Sequence, residues 1–308
     1  MTDAGAHVRS RGDGSSGGSK RDLTYPPLPE ALVVPVYDNH THMEIADGVG
    51  DGGPLEYREH LGRASSVGVR GVVQVGTDLA TSEWSARIAA REPRVLAAVA
   101  LHPNEAPVLD ASGLLDEHLA GIERLAALPR VRAIGETGLD FFRTGEDGRD
   151  AQIRSFEEHI RIAKEHDLAL TIHDRDAHDA VVEVLDRVGA PDRTVFHCFS
   201  GGPDLARLCA ERGWYMSFAG TVTFKNAEPL REALRVAPRH LIMVETDAPF
   251  LTPTPFRGRP NAPYLIPLTL RSMAETLGTD ASMLAAQIAS NTELVYGAWD
   301  AEPVTVDE

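Results

Sequence analysis

The strongest constraint on this chain is a rhythm of two alternating textures. Eight short apolar runs, at 33–37, 71–76, 95–100, 131–136, 168–173, 194–199, 214–218 and 241–246, have the length and apolarity of strands buried on both faces. Helix-period segments lie between them. In "AQIRSFEEHIRIAKEHDL", Ile153, Phe156, Ile160 and Ala163 recur at steps of three and four with charges on the other side. In "AHDAVVEVLDRVGAP", Ala177, Val181, Val184, Leu185 and Val188 form a similar stripe, closed by Gly189 and Pro191. Strand and helix alternating eight times in one continuous region predicts an α/β fold, a (β/α)8 TIM-type barrel, with an open doubly wound sheet as the alternative. No Gly-rich dinucleotide fingerprint follows the first run, so the usual function of the open version has no support.

With 308 residues, 43% of them hydrophobic, the chain can bury a substantial core. The expected organisation is a disordered tail over 1–24, a single (β/α)8 domain over 25–300 and a short acidic tail over 301–308. The first of these is rich in Gly, Ser and charge and cannot bury enough apolar surface to order itself. A net charge of −16 argues against a protein that grips long duplex DNA nonspecifically, although a locally basic site remains compatible with it. Two cysteines, Cys198 and Cys209, make no disulfide framework and fit a reducing cytoplasmic setting. No run has the length of a membrane span, and the N-terminus lacks the apolar stretch of a secretory signal.

In such barrels chemistry gathers at the carboxyl ends of the strands, where the metal site is expected. Six of the eight ends carry an ionisable group: Asp38, His40 and His42 after the first, His102 after the third, Glu136 after the fourth, His173 after the fifth, His197 after the sixth and Asp247 after the eighth. Side chains two apart on a strand share a face, so His40 and His42 project together into the mouth. The same alternation puts His197 inward and Cys198 outward, as core packing. One buried histidine is commonly a hydrogen-bonded core residue; four with two carboxylates at one barrel end point to metal. Mixed imidazole and carboxylate ligation suits divalent Zn, Mn, Co or Fe, and Mg less naturally. Six ligands exceed what one tetrahedral zinc with an open position needs, so two metal ions sharing Glu136 fit better. His7, His60, His118, His159, His166, His178 and His240 fall in the tail or on polar helix faces and are expected to be solvated.

With those residues laid out, the chain closely resembles the TatD family of metal-dependent deoxyribonucleases, within the amidohydrolase-like metal hydrolases. The matches run in order: "DNHTH" (38–42), "LHP" (101–103), "GETGLDFFR" (135–143), "IHDRDA" (172–177), "FHCFSG" (196–201), "SFAGTVTFKNA" (217–227), "ETDAPFLTP" (245–253), and Asn291 with Thr292. The resemblance implies one metal held by His40, His42, Glu136 and Asp247 and a second by Glu136, His173 and His197. It implies hydrolysis of DNA phosphodiester bonds by metal-activated water, as a 3′–5′ exonuclease on single-stranded or frayed ends. Asp247 and Glu136 are the expected catalytic carboxylates, and His102 the hydrogen-bond partner of the phosphate. Arg143, Arg175, Lys225, Arg257 and Arg259 are the candidate substrate-binding cations, with Phe141 and Phe142 placed to stack a base. Where the family commonly has Arg-Gly-Lys-Arg-Asn-Glu-Pro, this chain has "RGRPNAP" at 257–263, losing one basic and one acidic residue. The same ligand set also serves hydrolysis of an ester or C–N bond, for example deacylation of a mischarged D-aminoacyl-tRNA, and that is the alternative. DNA ends or oligonucleotides are the expected partners, no membrane is expected, and a monomer suffices.

Overall fold

The computed structural model describes residues 7–11, 21–50 and 53–299. The remainder of the N-terminal segment (1–6 and 12–20) and the acidic tail over 301–308 lie outside the described residues.

Eight parallel strands follow one another in chain order around a single sheet. They are β1 (Val36–Thr41), β2 (Val69–Val75), β3 (Val95–Val99), β4 (Val131–Asp140), β5 (Ala169–Arg175), β6 (Thr194–Phe196), β7 (Tyr215–Phe218) and β8 (Ile242–Val244). Helices occupy the crossovers: α1 (Tyr57–Ser66), α2 (Leu79–Ala89), α3 (Ala106–Ala111), α4 (Leu115–Ala126), α5 (Glu146–Glu165), α6 (His178–Val188), α7 (Pro203–Arg212), α8 (Glu228–Val236), α9 (Ile266–Thr276) and α10 (Ala281–Tyr296). The fold is the expected TIM-type barrel. All eight runs become strands, but the first starts at Val36 rather than Val33, because Pro35 removes a ladder donor and Val33 is 88% exposed.

Two layers of apolar side chains account for the alternation. Val73, Val75, Leu96, Ala98, Ala133, Ala169, Val195 and Met243 form an inner cluster that fills the barrel, with Tyr296 and Trp299 closing its lower end. Their neighbours one residue away, such as Val72, Val95, Ile134, Leu170 and Phe196, face the helices and belong to the outer core. Trp299 stacks on Tyr37 at 4.1 Å, so the chain end after α10 seals the end of the barrel opposite the chemistry.

The seam between β8 and β1 is closed partly by side chains. Backbone bonds run from Asp247 N to His40 O (2.9 Å) and from His42 N to Ala248 O (2.8 Å). Asp38, one of the ionisable groups expected at a strand end as a potential ligand or acid/base, is fully buried here. Its carboxyl accepts from Thr246 N (2.8 Å), Thr246 Oγ1 (2.5 Å) and His40 N (3.2 Å), and burial pushes its pKa up to about 8. Asp38 therefore braces the seam and does not join the ligand cluster.

Two expectations fail in the helix layer. His159 on α5 and His60 on α1 are buried, not solvated. The reason at His159 is a stranded donor: where β3 runs out, Leu101 N donates to His159 Nε2 (3.0 Å), while His159 Nδ1 bonds to Ser155 O (2.6 Å). Nine residues of the segment expected to be a disordered tail, 7–11 and 21–24, are also placed, and Arg9–Ser10 pairs in parallel with Ile45–Ala46 just beyond His42. Among the described residues no helix is long and apolar enough to cross a membrane.

Candidate metal centre

Alternation alone aims three of the imidazoles. His173 continues the inward parity of Ala169, His197 that of Val195, and His102 that of Ala98. It holds for Asp247, which keeps the parity of Met243, but fails for the remaining three: counting from the inward Tyr37, both His40 and His42 fall on the wrong parity, as does Glu136 counted from Ala133. A register shift between Asp38 and Thr41 supplies the missing residue, three positions of β1 spanning two of β2. A second shift between Ile134 and Thr137 on β4 does the same for Glu136. Bulges of this kind re-aim side chains next to active sites, and here they turn His40, His42 and Glu136 into the mouth.

Glu136 is the hub. Its Oε1 lies 2.6 Å from His173 Nδ1, 3.0 Å from His197 Nε2 and 3.4 Å from His102 Nε2. Its Oε2 lies 3.4 Å from His40 Nε2 and 3.6 Å from His42 Nε2. Asp247 Oδ1 approaches the same pair from the other side, 3.5 Å from His42 Nε2 and 3.8 Å from His40 Nε2. Three overlapping triads bring ligand atoms within 4.8 Å of one another: His40, His42 and Glu136; His40, His197 and Asp247; His102, Glu136 and His173. All six expected ligands and His102 thus meet at one end of the barrel.

The cluster fits a metal on its own chemistry. His42 Nδ1 is engaged with the Val75 carbonyl (3.0 Å) and His197 Nδ1 with Glu245 Oε1 (3.2 Å), so each Nδ1 donates and each Nε2 is left to a second proton or to a metal. Those Nε2 atoms face carboxylate oxygens, an arrangement satisfied by a cation between them, either the extra proton of the metal-free ring or a metal that displaces it. His40 and His42 also bring their Nε2 atoms to 3.1 Å of each other. His102 is different. Asn104 N donates to its Nδ1 (3.1 Å), so its Nε2 carries the proton and acts as a donor.

The electrostatics agree. Burial disfavours a charged Glu136, yet His197 and His102 hold its carboxyl well below the usual range. Burial likewise opposes ionisation of Asp247, but the bond to His42 and the charges of His40 and His197 lower it. Both acids are therefore carboxylates at neutral pH, the form a metal requires. His40 is pushed down by burial and by His197, and His102 by burial and by His173. His42 is raised to about 9, the pull of Asp247, Glu44 and Glu136 outweighing burial.

Several supporting groups were not anticipated. Glu245 is fully buried and fixes His197 while accepting from Cys198 N (2.7 Å). Asp140 sits 3.4 Å from His173 Nε2 and is held by Asn104 Nδ2 (3.0 Å) and Arg143 N (2.9 Å). Glu44 lies 3.7 Å from His42 Nδ1 and is anchored by Gln74 Nε2 (2.6 Å). A signal for Glu245 was available: it stands two before Asp247, as His40 stands two before His42, and shares its face. Cys198 corrects the alternation argument, because β6 ends at Phe196 and Cys198 turns to line the cavity instead of the core.

That cavity, about 600 Å³, opens directly over Glu136, His173, His197 and Asp247. Arg143 and Arg175 line it, as expected; Lys225, Arg257 and Arg259 do not. Arg257 stacks on Phe224 at 4.2 Å, and Arg259 is committed to the carbonyls of Thr24 and Tyr25, both at 2.9 Å. Phe142 is 63% exposed with the Arg175 guanidinium 3.9 Å over its ring, whereas Phe141 is partly buried against the core under Arg149.

Residues 37–297 match the family model for TatD related DNase, which takes in the barrel and every residue of the cluster. This chain belongs to the TatD family. It is 42% identical over 264 residues to a metal-dependent hydrolase named TatD from Mycobacterium tuberculosis, covering 84% of this chain and 97% of that one. It is 35% identical over 248 residues to the 3′-5′ ssDNA/RNA exonuclease TatD of Citrobacter rodentium, covering 79% and 92%. Among solved structures, a TatD homologue from Escherichia coli superposes with a TM-score of 0.77 at 26% identity, covering 87% of this chain and 100% of that one. The TatD match begins at Tyr37, so the strand at Arg9–Ser10 lies outside it.

Proposed function

We propose that this chain is a two-metal phosphodiesterase that removes nucleotides from the 3′ end of single-stranded DNA. The observation that carries the reading is the division of Glu136: one oxygen faces His40 and His42, the other His173 and His197. In this reading His40, His42, Asp247 and Glu136 would hold one divalent ion, and Glu136, His173 and His197 a second. Bound there, the ions supply Lewis-acid polarisation of the phosphoryl oxygens and make water a nucleophile at neutral pH.

The chain's own groups do the rest. Asp247, ionised and 14% exposed at its side chain, accepts the proton of the attacking water and delivers it to the leaving alkoxide. His102, with its proton on Nε2, donates to a phosphate oxygen as negative charge builds. Arg143 and Arg175 line the cavity and hold the backbone phosphates. Phe142, with Arg175 on one face, offers the other to a base. A cavity of about 600 Å³ accepts the end of a strand in place of a duplex.

The exonuclease named in Citrobacter rodentium supports the substrate class. None of the relatives quoted is named for aminoacyl-ester or C–N bond cleavage, so that alternative is not favoured. Two free cysteines fit a reducing, cytoplasmic setting, and a site built from one chain needs no second copy. The test is a labelled single-stranded oligonucleotide incubated with Mg, Mn or Zn, beside an aminoacyl ester. The proposal expects stepwise shortening that is lost in His173→Ala; turnover of the ester alone contradicts it.

A further inference from the structure

A strand from outside the family match crosses the barrel mouth. Arg9–Ser10 pairs with Ile45–Ala46, fastened by Val8 N to Glu44 O (2.9 Å) and Arg11 N to Ala46 O (2.8 Å). From it two arginines reach in opposite directions. Arg9 Nη2 donates to Asp78 (2.9 Å), Thr81 (3.2 Å) and Thr77, on the loop whose Thr77 carbonyl also holds His102 N. Arg11 Nη1 donates to Pro249 O (2.6 Å), two residues beyond Asp247, with its guanidinium 4.7 Å from the Phe250 ring centre. Both side chains line the cavity over the ligand cluster.

These guanidinium groups retain binding capacity. Among the described residues Arg9 is anchored through Nη2 alone and Arg11 through Nη1 alone, leaving the other donors of each fork unengaged. Their side chains remain 35% and 30% exposed. Asp47, the acid beside Arg11, is already taken in bidentate fashion by Arg21 at 3.1 and 2.9 Å, with Arg11 more distant at 3.4 Å. Burial and the Arg21 charge both disfavour the Arg11 cation, which an arriving anion relieves. Arg143 follows β4 and Arg175 ends β5, so the strap adds cationic groups on the side of the mouth formed by β1, β2 and β8.

We propose that residues 7–11 form a substrate-recognition strap in which Arg9 and Arg11 bind backbone phosphates of the nucleic-acid strand flanking the scissile bond. The inference rests on the phosphodiesterase reading of the same site. A rim bounded by this strap also favours a free strand end over the middle of a long strand.

Full-length Arg9→Ala, Arg11→Ala and the double variant, with Arg→Lys at both positions as controls, separate the possibilities. Steady-state rates are measured on a single-stranded oligonucleotide and on bis(p-nitrophenyl) phosphate, a diester with one phosphate and no flanking backbone phosphate for the strap to bind. Oligonucleotide binding is followed by anisotropy against salt. Each Arg→Ala change is expected to raise KM for the oligonucleotide about tenfold with kcat less affected, exceeding the loss on the small diester by a similar factor. The log–log salt slope should fall by about 0.7 per contact removed, and the Lys variants should retain most of that slope. Equal losses on both substrates make the strap a structural clamp and overturn the inference, as does an unchanged KM in the double variant. A wild-type protein that turns over the small diester but neither binds nor shortens the oligonucleotide overturns the nucleic-acid reading itself, and the strap with it.

Discussion

Replacing Glu245 with Gln tests how the centre is held together, because it removes a charge while keeping a shape. Glu245 is fully buried; its Oε1 accepts from Cys198 N at 2.7 Å and lies 3.2 Å from His197 Nδ1. A Gln carbonyl placed there accepts both donors, so the local geometry survives. What disappears is the negative charge that raises the basicity of His197 and keeps its Nε2 lone pair aimed at Glu136. Loss of such an outer partner weakens metal affinity about 10- to 100-fold, or about 1.4–2.7 kcal/mol. The metal-free protein should lose less stability than the loaded one, because Glu136 still faces the His197 imidazole after one partner of the buried Glu245–His197 pair is neutralised. Competition with a chromophoric chelator gives the affinity, and calorimetry of the metal-free protein gives the stability. Wild-type metal affinity in Glu245→Gln would refute the role of Glu245; equal destabilisation of the metal-free and loaded proteins would show that it only packs.

Two further perturbations follow from the same geometry. Gly138 has φ +138°, and an added Cβ would lie 2.1 Å from the His173 carbonyl oxygen, so Gly138→Ala should cost about 1–3 kcal/mol in urea melts and displace His173 enough to lower kcat. Wild-type stability and rate in that variant would contradict the close packing of β4 on β5. His159 is neutral and buried, pushed down to about 4 from the ordinary 6.5 by desolvation. Below 6.5 the unfolded chain binds a proton that the folded one refuses until near 4, so stability falls as pH drops through that window, by up to about 3 kcal/mol. Urea melts at about pH 7 and about pH 4.5 should show the fall, and His159→Gln, which still accepts from Leu101 N, should flatten it; an identical fall in the variant removes His159 as its cause.

The barrel was legible because its strands are buried on both faces and therefore stand out as apolar runs between helix stripes. The candidate ligands were legible as residue types at strand ends, yet their aim was only half legible. His173, His197 and His102 follow from period-two alternation, whereas His40, His42 and Glu136 depend on two register shifts that no residue type announces. Cys198 was misplaced for the related reason that β6 stops two residues earlier. His159 was misplaced because the need it answers, an unpaired amide at Leu101, lies 58 positions away in the chain. Arg9 and Arg11 had no signal: a segment rich in Gly, Ser and charge has no periodicity, and residues 7–11 are held by pairing with Ile45–Ala46 and by the contacts of Arg9 and Arg11 with Asp78 and Pro249. Lys225, Arg257 and Arg259 sit in loops, and loop position does not fix whether a side chain faces the mouth.

Metal occupancy tests the central claim most directly. Protein loaded with Mn or Zn, stripped of excess ion and quantified by elemental analysis with anomalous diffraction, should hold two ions per chain about 3.5–4 Å apart, one on each side of Glu136. Glu136→Ala should lower that stoichiometry and abolish turnover. A single ion at full activity, or two ions bound away from Glu136, would contradict the account.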